Sequence, residues 1–168
     1  MKKWSDEVKM IDVIKNRRNI KKFKPDVVKE ESLLAWLEAA AMAPNHRMTE
    51  PWEILFIGKE TREKLNHKTN FGDAPVVMAV ISRNGASQTE MIENALATAC
   101  FIQNFNLAAW AEGVGTFWSS IGASERSREI LGVPNEYDVI GVLGIGYPEK
   151  IPEAKPRHPI AEKIKRLP

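Results

Sequence analysis

The spacing of apolar positions changes along the chain, and each change predicts an element. Val8, Ile11 and Ile14 fall three apart with charges between them, which predicts a short amphipathic helix over residues 5–16. The basic run Arg17-Arg18-Asn19-Ile20-Lys21-Lys22 follows, and Pro25 enforces a break. Residues 30–43 are dense in Ala and Leu, strong helix formers, up to Pro44. The β-branched and aromatic run at 51–57, stopped by Gly58, predicts a strand. Residues 60–67 predict a short polar helix, and the apolar run 76–81 behind Pro75 predicts a buried strand.

The longest element comes next. Ser87 and Glu90 match the S-x-x-E capping box, in which hydroxyl and carboxylate satisfy free backbone N–H groups at a helix start. Helical sequence continues to Glu112, and Gly113 stands where a C-terminal cap belongs. From Ala95 onward this helix is apolar on nearly every face, so the domain core or another subunit must cover it all round. Residues 114–119 and 138–146 predict two further strands, and between them Ser124 caps a short helix ending at Gly132-Val133-Pro134. Beyond Tyr147 the tail carries Pro148, Pro152, Pro156, Pro159 and Pro168, which predicts an extended tail, not packed as helix, that wraps over a neighbouring surface. With no repeats and no splitting linker, residues 1–168 read as a single α+β domain whose sheet is covered by helices.

Composition narrows the function more than the fold. The 168 residues are 43% hydrophobic and 27% charged, enough for one domain with a real core. Twenty-four Lys and Arg against twenty-two Asp and Glu leave a formal +2, spread along the chain, which argues against a nucleic-acid surface. A single cysteine makes no internal disulfide and points to a reducing, cytoplasmic setting. The two N-terminal lysines lead into no apolar run, so no secretory signal is read. The most apolar stretch, 95–111, is crossed by Gln103, Asn104 and Asn106 and falls short of the roughly 20 apolar residues that span a bilayer. A soluble protein with no membrane and no nucleic-acid partner is expected.

Most single motifs dissolve on inspection. Gly141-Val-Leu-Gly144-Ile-Gly146 reverses the spacing of the dinucleotide fingerprint and leads into Tyr-Pro rather than a helix; small residues that thin a strand for close helix packing account for it better. No P-loop is present. His46, His67 and His158 are far apart, with no metal-ligand spacing. Cys100 reads as a small buried hydrophobe of the long helix. Ser119-Ser120 lacks the glycines of a nucleophile elbow. Hydrolytic and metal chemistry therefore find no support.

Four segments remain. Residues 14–23 contain Arg17-Arg18-Asn19-Ile20-Lys21-Lys22-Phe23, and residues 41–52 contain Ala43-Pro44-Asn45-His46 followed by Pro51-Trp52. Residues 113–120 end in Trp118-Ser119-Ser120, and Gly146-Tyr147-Pro148 is followed by Lys155-Pro156-Arg157-His158. In this order, over nearly the whole chain, the set resembles the nitroreductase family of FMN-dependent oxidoreductases, most of all its compact bacterial members.

The resemblance implies an α+β fold, with a central antiparallel or mixed sheet covered by helices and an extended C-terminal tail, and an obligate homodimer with two FMN sites at the interface, each drawing on both subunits. It implies that Arg17, Arg18 and Asn19 hold the phosphate, ribityl chain and ring edge, with Lys21 in the same motif and Lys155 and Arg157 reaching the phosphate from the tail. Arginine's planar fork suits phosphate oxygens. Taken alone, Arg17-Arg18 reads as basic charge at a helix C-terminus. His46 is implied to lie against the flavin, and Trp118, Ser119 and Ser120 along the isoalloxazine. Two positions depart from the family pattern: Asn19 where Ser is frequent, and Met42, at a cofactor-contact position, where compact relatives often carry Arg. The implied reaction passes hydride from NADH or NADPH to flavin N5 and on to a small electron-poor acceptor such as a nitroaromatic or quinone, with no catalytic side chain and no metal. Three alternatives stay open: a flavin-binding sensor or storage protein of this fold, a flavin enzyme with dehalogenase or oxygen-dependent chemistry, and an interaction module whose basic cluster binds an acidic partner.

Overall fold

A computed structural model describes residues 9–168. The segment 5–8 of the first expected helix lies outside the described residues. Within them, α1 is Met10–Asn16, α2 Glu30–Ala40, β1 Trp52–Phe56, α3 Lys59–Leu65 and β2 Val76–Arg83. Then come α4 Gln88–Ala111, β3 Gly115–Ser119, α5 Glu125–Leu131 and β4 Tyr137–Gly146. The four strands form one antiparallel sheet in the order β1-β2-β4-β3. A parallel contact enters as the single bridge between Asn19 and Thr116 beside β3.

Local chemistry sets the ends of α4. Ser87 Oγ accepts the Glu90 N–H at 3.2 Å, and Glu90 Oε2 accepts the Ala86 N–H at 2.8 Å. At the far end Gly113 takes φ +82° and donates its N–H to Trp110 O, while Val114 N–H reaches Ala109 O; these are the paired bonds of a Schellman cap. Ser124 and Gly132 repeat the pattern for α5. Helix α2 stops at Ala40, earlier than the composition predicts, because the residues before Pro44 turn away.

The sheet separates two apolar clusters. On one face α2 and α4 pack Trp36, Phe101, Ile102 and Phe105 onto Met78, Val80, Leu143 and Ile145. On the other, Ile20, Phe23, Leu65 and Phe71 pack onto Val77, Ala79, Phe117 and Val142. As its continuous apolar run requires, β2 is buried on both faces.

Three expectations are corrected. Cys100 is exposed, not buried: α4 turns Ala97, Phe101 and Phe105 inward, and Cys100 falls on the opposite face with Ile92 and Leu96, which the described residues leave open. The glycines of β4 do thin the strand, yet not for a helix. A Cβ on Gly141 would strike the Trp118 indole, one on Gly144 the Phe71 carbonyl, and one on Gly146 the Pro75 ring. The proline-rich tail is exposed and largely extended, but Ile160–Lys163 closes a 3-10 turn within it. No helix among the described residues is long and apolar enough to cross a membrane.

Candidate functional site

Helix α1 ends at Asn16, and Arg17, its cap, takes ψ 133°, so the chain leaves in extended form along the edge of the sheet. Ile20 N–H donates to Thr116 O at 2.9 Å, Phe23 bridges Pro148, and Lys24 N–H donates to Tyr147 O at 2.9 Å. This close approach requires Gly115, where a Cβ would stand 2.3 Å from Ile20 Cγ1. The tail then runs back past the same segment: Glu149 N–H donates to Lys22 O at 3.1 Å, and the two side chains form an exposed ion pair at 3.1 Å. The result is a cavity of about 790 Å3 whose wall includes Arg17, Arg18, Asn19, Lys21, Lys155 and Arg157, with Glu153 its acidic residue. Two basic stretches from opposite ends of the chain therefore meet in one place.

The two adjacent arginines differ. Arg18 Nη1 donates to Lys15 O at 2.8 Å and to Arg17 O at 3.0 Å, so it caps the end of α1. Arg17 has no such engagement among the described residues; burial lowers its pKa first, and the neighbouring charges of Arg18 and Arg157 lower it further. Among the described residues no ion pair reaches Arg17, Lys155 or Arg157. Arg17, Arg18 and Arg157 repel one another around a wall whose acidic residue is Glu153, and such a cluster is stabilised by a bound anion, best by one whose oxygens match the guanidinium fork.

Asn19 links this cavity to β3. Its Oδ1 accepts the Trp118 N–H at 3.3 Å, and its NH2 has no partner among the described residues. The Trp118 indole lies over Gly141 and donates from Nε1 to Ile140 O at 3.3 Å. Ser119 Oγ accepts the Ile121 N–H at 3.3 Å, and Ser120 begins the next 3-10 turn. Both the backbone donor of Trp118 and the acceptor of Ser119 are thus already engaged within the chain. Lys21 Nζ sits 4.6 Å from the centroid of the Phe117 ring.

Met42 and His46 are not brought to this cavity. Met42 is 79% exposed in the turn after α2. His46 begins a 3-10 turn and lines a separate cavity of about 200 Å3 at the N-terminus of α4, with Arg47, Glu90 and Glu93. That loop holds Arg47, Met48 and Glu50 at positive φ, with Asn45 Oδ1 accepting the Glu50 N–H at 3.0 Å. One residue that the sequence did not single out, His67, stacks on Phe71 and meets Phe117 edge-on, on the same ring that carries Lys21. Its isolation along the chain gives no signal; only the fold brings it to Lys21.

The Nitroreductase family pattern matches residues 14–70 and 64–147. A Bacillus subtilis protein, YfhC, provisionally named as an NAD(P)H nitroreductase, is 31% identical over 180 residues, covering 93% of each chain. The crystal structure of a nitroreductase-like family protein from Bacillus cereus superposes with a TM-score of 0.88 at 30% identity, covering 98% of this chain and 99% of that one. An NADPH:FMN oxidoreductase from Vibrio harveyi, complexed with NAD+, shares the fold with a TM-score of 0.84 at 21% identity, covering 94% of this chain and 76% of that one. Since the family pattern spans most of the chain and a relative is 31% identical across nearly all of it, the chain belongs to the nitroreductase family.

Proposed function

We propose that this chain is an FMN-dependent oxidoreductase of the cytoplasm, working as a homodimer, that takes hydride from NADH or NADPH and delivers it to a small electron-poor acceptor such as a nitroaromatic or quinone. The observation that carries this reading is the cavity where Arg17, Lys155 and Arg157 converge with no ion-pair partner among the described residues. Its chemistry fits a flavin mononucleotide. The cations suit a phosphate, and the NH2 of Asn19, without a partner among the described residues, suits a ribityl hydroxyl or ring-edge acceptor; burial first, then Arg18 and Arg157, lower the Arg17 pKa, and a bound anion would offset that. The names of YfhC and of the Vibrio harveyi enzyme support the same class of reaction.

When bound, FMN supplies the two-electron chemistry that no side chain here provides. The chain's own task is to bind and orient. Arg17, Lys155 and Arg157 hold the phosphate, and Arg18 and Lys21 add positive potential to the cavity. Asn19 donates to the cofactor while its Oδ1 keeps Trp118, and with it Ser119 and Ser120, at a fixed height beside it. The Trp118 indole and backbone N–H are both engaged within the chain, by Ile140 O and Asn19 Oδ1, so this residue contributes by anchoring Asn19. Met42 and His46 are far from filling this cavity in one chain. They enter the reading through the dimer, in which a second copy brings its own α2–β1 loop to the site.

The test uses purified, stripped protein. FMN is added while the melting temperature is followed, then NADPH or NADH is added without air while the flavin absorbance is watched. Stabilisation followed by bleaching is expected. Stabilisation without bleaching would favour a flavin-binding sensor or storage protein of the same fold, and no stabilisation would overturn the cofactor assignment.

A further inference from the structure

His67 follows Asn66, the left-handed residue that ends α3. Its Nδ1 accepts the Phe71 N–H at 3.2 Å and the Thr69 N–H at 3.3 Å. The ring stacks on Phe71 with centroids 4.3 Å apart and meets Phe117 edge-on at 5.5 Å. An Nδ1 that accepts two N–H groups belongs to a neutral imidazole carrying its proton on Nε2. Thr69 Oγ1 lies 3.4 Å from the same nitrogen, so protonation would break both N–H bonds and leave Nδ1 only that hydroxyl to donate to.

The turn it caps is an unusual one. Asn70, Phe71, Gly72 and Asp73 have φ of 45°, 55°, 70° and 57°, a left-handed run in which only Gly72 lacks a Cβ. Surrounding contacts hold it in place. Phe71 is wholly buried, Gly72 N–H donates to Thr69 O at 2.7 Å, and Gly72 O accepts the Phe23 N–H at 2.9 Å. A Cβ on Gly72 would stand 2.5 Å from the Lys21 carbonyl oxygen. The turn is therefore the back wall of the segment that carries Lys21 and begins at Arg17.

We propose that His67 is a positioning residue for the cationic cavity: its neutral ring latches the left-handed turn behind Lys21, and its protonation releases that turn and weakens the hold on FMN. The inference rests on the FMN reading above. Around the ring, Lys21 faces it from the extended segment, Lys68 and Asp73 belong to its own turn, and Phe117 of β3 brings no charge. Asp73 is engaged by Asn70 Nδ2 at 3.0 Å and interacts with Arg62 of α3. Burial first and Lys21 second lower the His67 pKa, so the latch is closed at neutral pH and opens on the acid side.

The experiment measures FMN affinity of the stripped full-length protein, by quenching of flavin fluorescence, from about pH 5 to about pH 8, where a histidine titrates. The comparison is His67→Asn, whose Oδ1 stands where Nδ1 does and does not titrate. The phosphate's own second ionisation, at about pH 6, is common to both proteins and cancels. The wild type should lose affinity more steeply than the variant, by up to about tenfold per pH unit once His67 titrates. Superimposed profiles overturn the proposal. If the variant does not fold, the wild type alone decides: linkage requires FMN to lower the His67 pKa seen by NMR, and an unmoved pKa overturns the latch. Failure to bind FMN at any pH would instead sink the cofactor reading. The latch then stands or falls on whether the Phe71 amide exchanges faster as His67 protonates.

Discussion

Two roles compete at the arginine pair after α1, and the structure divides them. Arg18 takes the helix-end carbonyl of Lys15, while Arg17 stays half-buried among cations. Arg17→Ala should therefore spare the fold but remove a charge-assisted bond worth about 1.5–3 kcal/mol. FMN affinity is expected to fall by about tenfold to a hundredfold or more, measured by fluorescence titration. An unchanged affinity in a folded variant would reassign the phosphate to Lys155 and Arg157. Acid gives a second prediction at this scale. The His67 pKa is lowered in the folded chain, so near and below about pH 6.5 the unfolded chain binds more protons. Stability from this group is complete above that pH and is lost as pH falls through the folded pKa. Urea midpoints taken across this range should decline for the wild type, with a shallower decline in His67→Asn.

Elements whose signals are local were legible before any coordinates. Ser87, Glu90 and Gly113 mark the ends of α4, and the β2 run behind Pro75 states its own burial, because each depends on residues a turn or a strand away. Ser87→Ala should cost about 1 kcal/mol in urea denaturation through the lost cap. The turn at 70–73 was not legible. Asn-Phe-Gly-Asp reads as a plain loop, and its left-handed form depends on Phe71 under β4 and on Gly72 against Lys21, contacts made across the fold. Nor could the pattern of α4 tell which face Cys100 occupies, since the helix is apolar around most of its circumference. The candidate site was legible in pieces: the basic run and the basic tail were both named and the resemblance implied that they share a phosphate, while the cavity lined by Arg17, Lys155 and Arg157 brings them together in the fold. Gly72→Ala tests that dependence. A left-handed alanine pressed on the Lys21 carbonyl should destabilise by about 2–4 kcal/mol, seen as a lower urea midpoint.

At the scale of the whole molecule, the apolar surface that the described residues of one chain leave uncovered is informative. Leu96 is 61% exposed and Ile92 53% on the outer face of α4, and Ile160, Ile164 and Leu167 are exposed along the tail. A folded domain seldom leaves so much large apolar side chain in water, and the second copy of the proposed homodimer is the occupant that would cover it. The proposed dimer would bring in Met42 and His46, which stand apart from the basic cavity in a single chain. In that dimer, assembly and cofactor binding would be one property. Leu96→Arg places a charge at the centre of the proposed interface, so light scattering should report a monomer. The monomer should retain its far-UV spectrum yet bind FMN at least about tenfold more weakly, a loss of about 1.4 kcal/mol, because the partner's loop is gone. A monomer that binds FMN as tightly as the wild type would show that the cavity formed by Arg17, Lys155 and Arg157 suffices within one chain, and that His46 acts elsewhere.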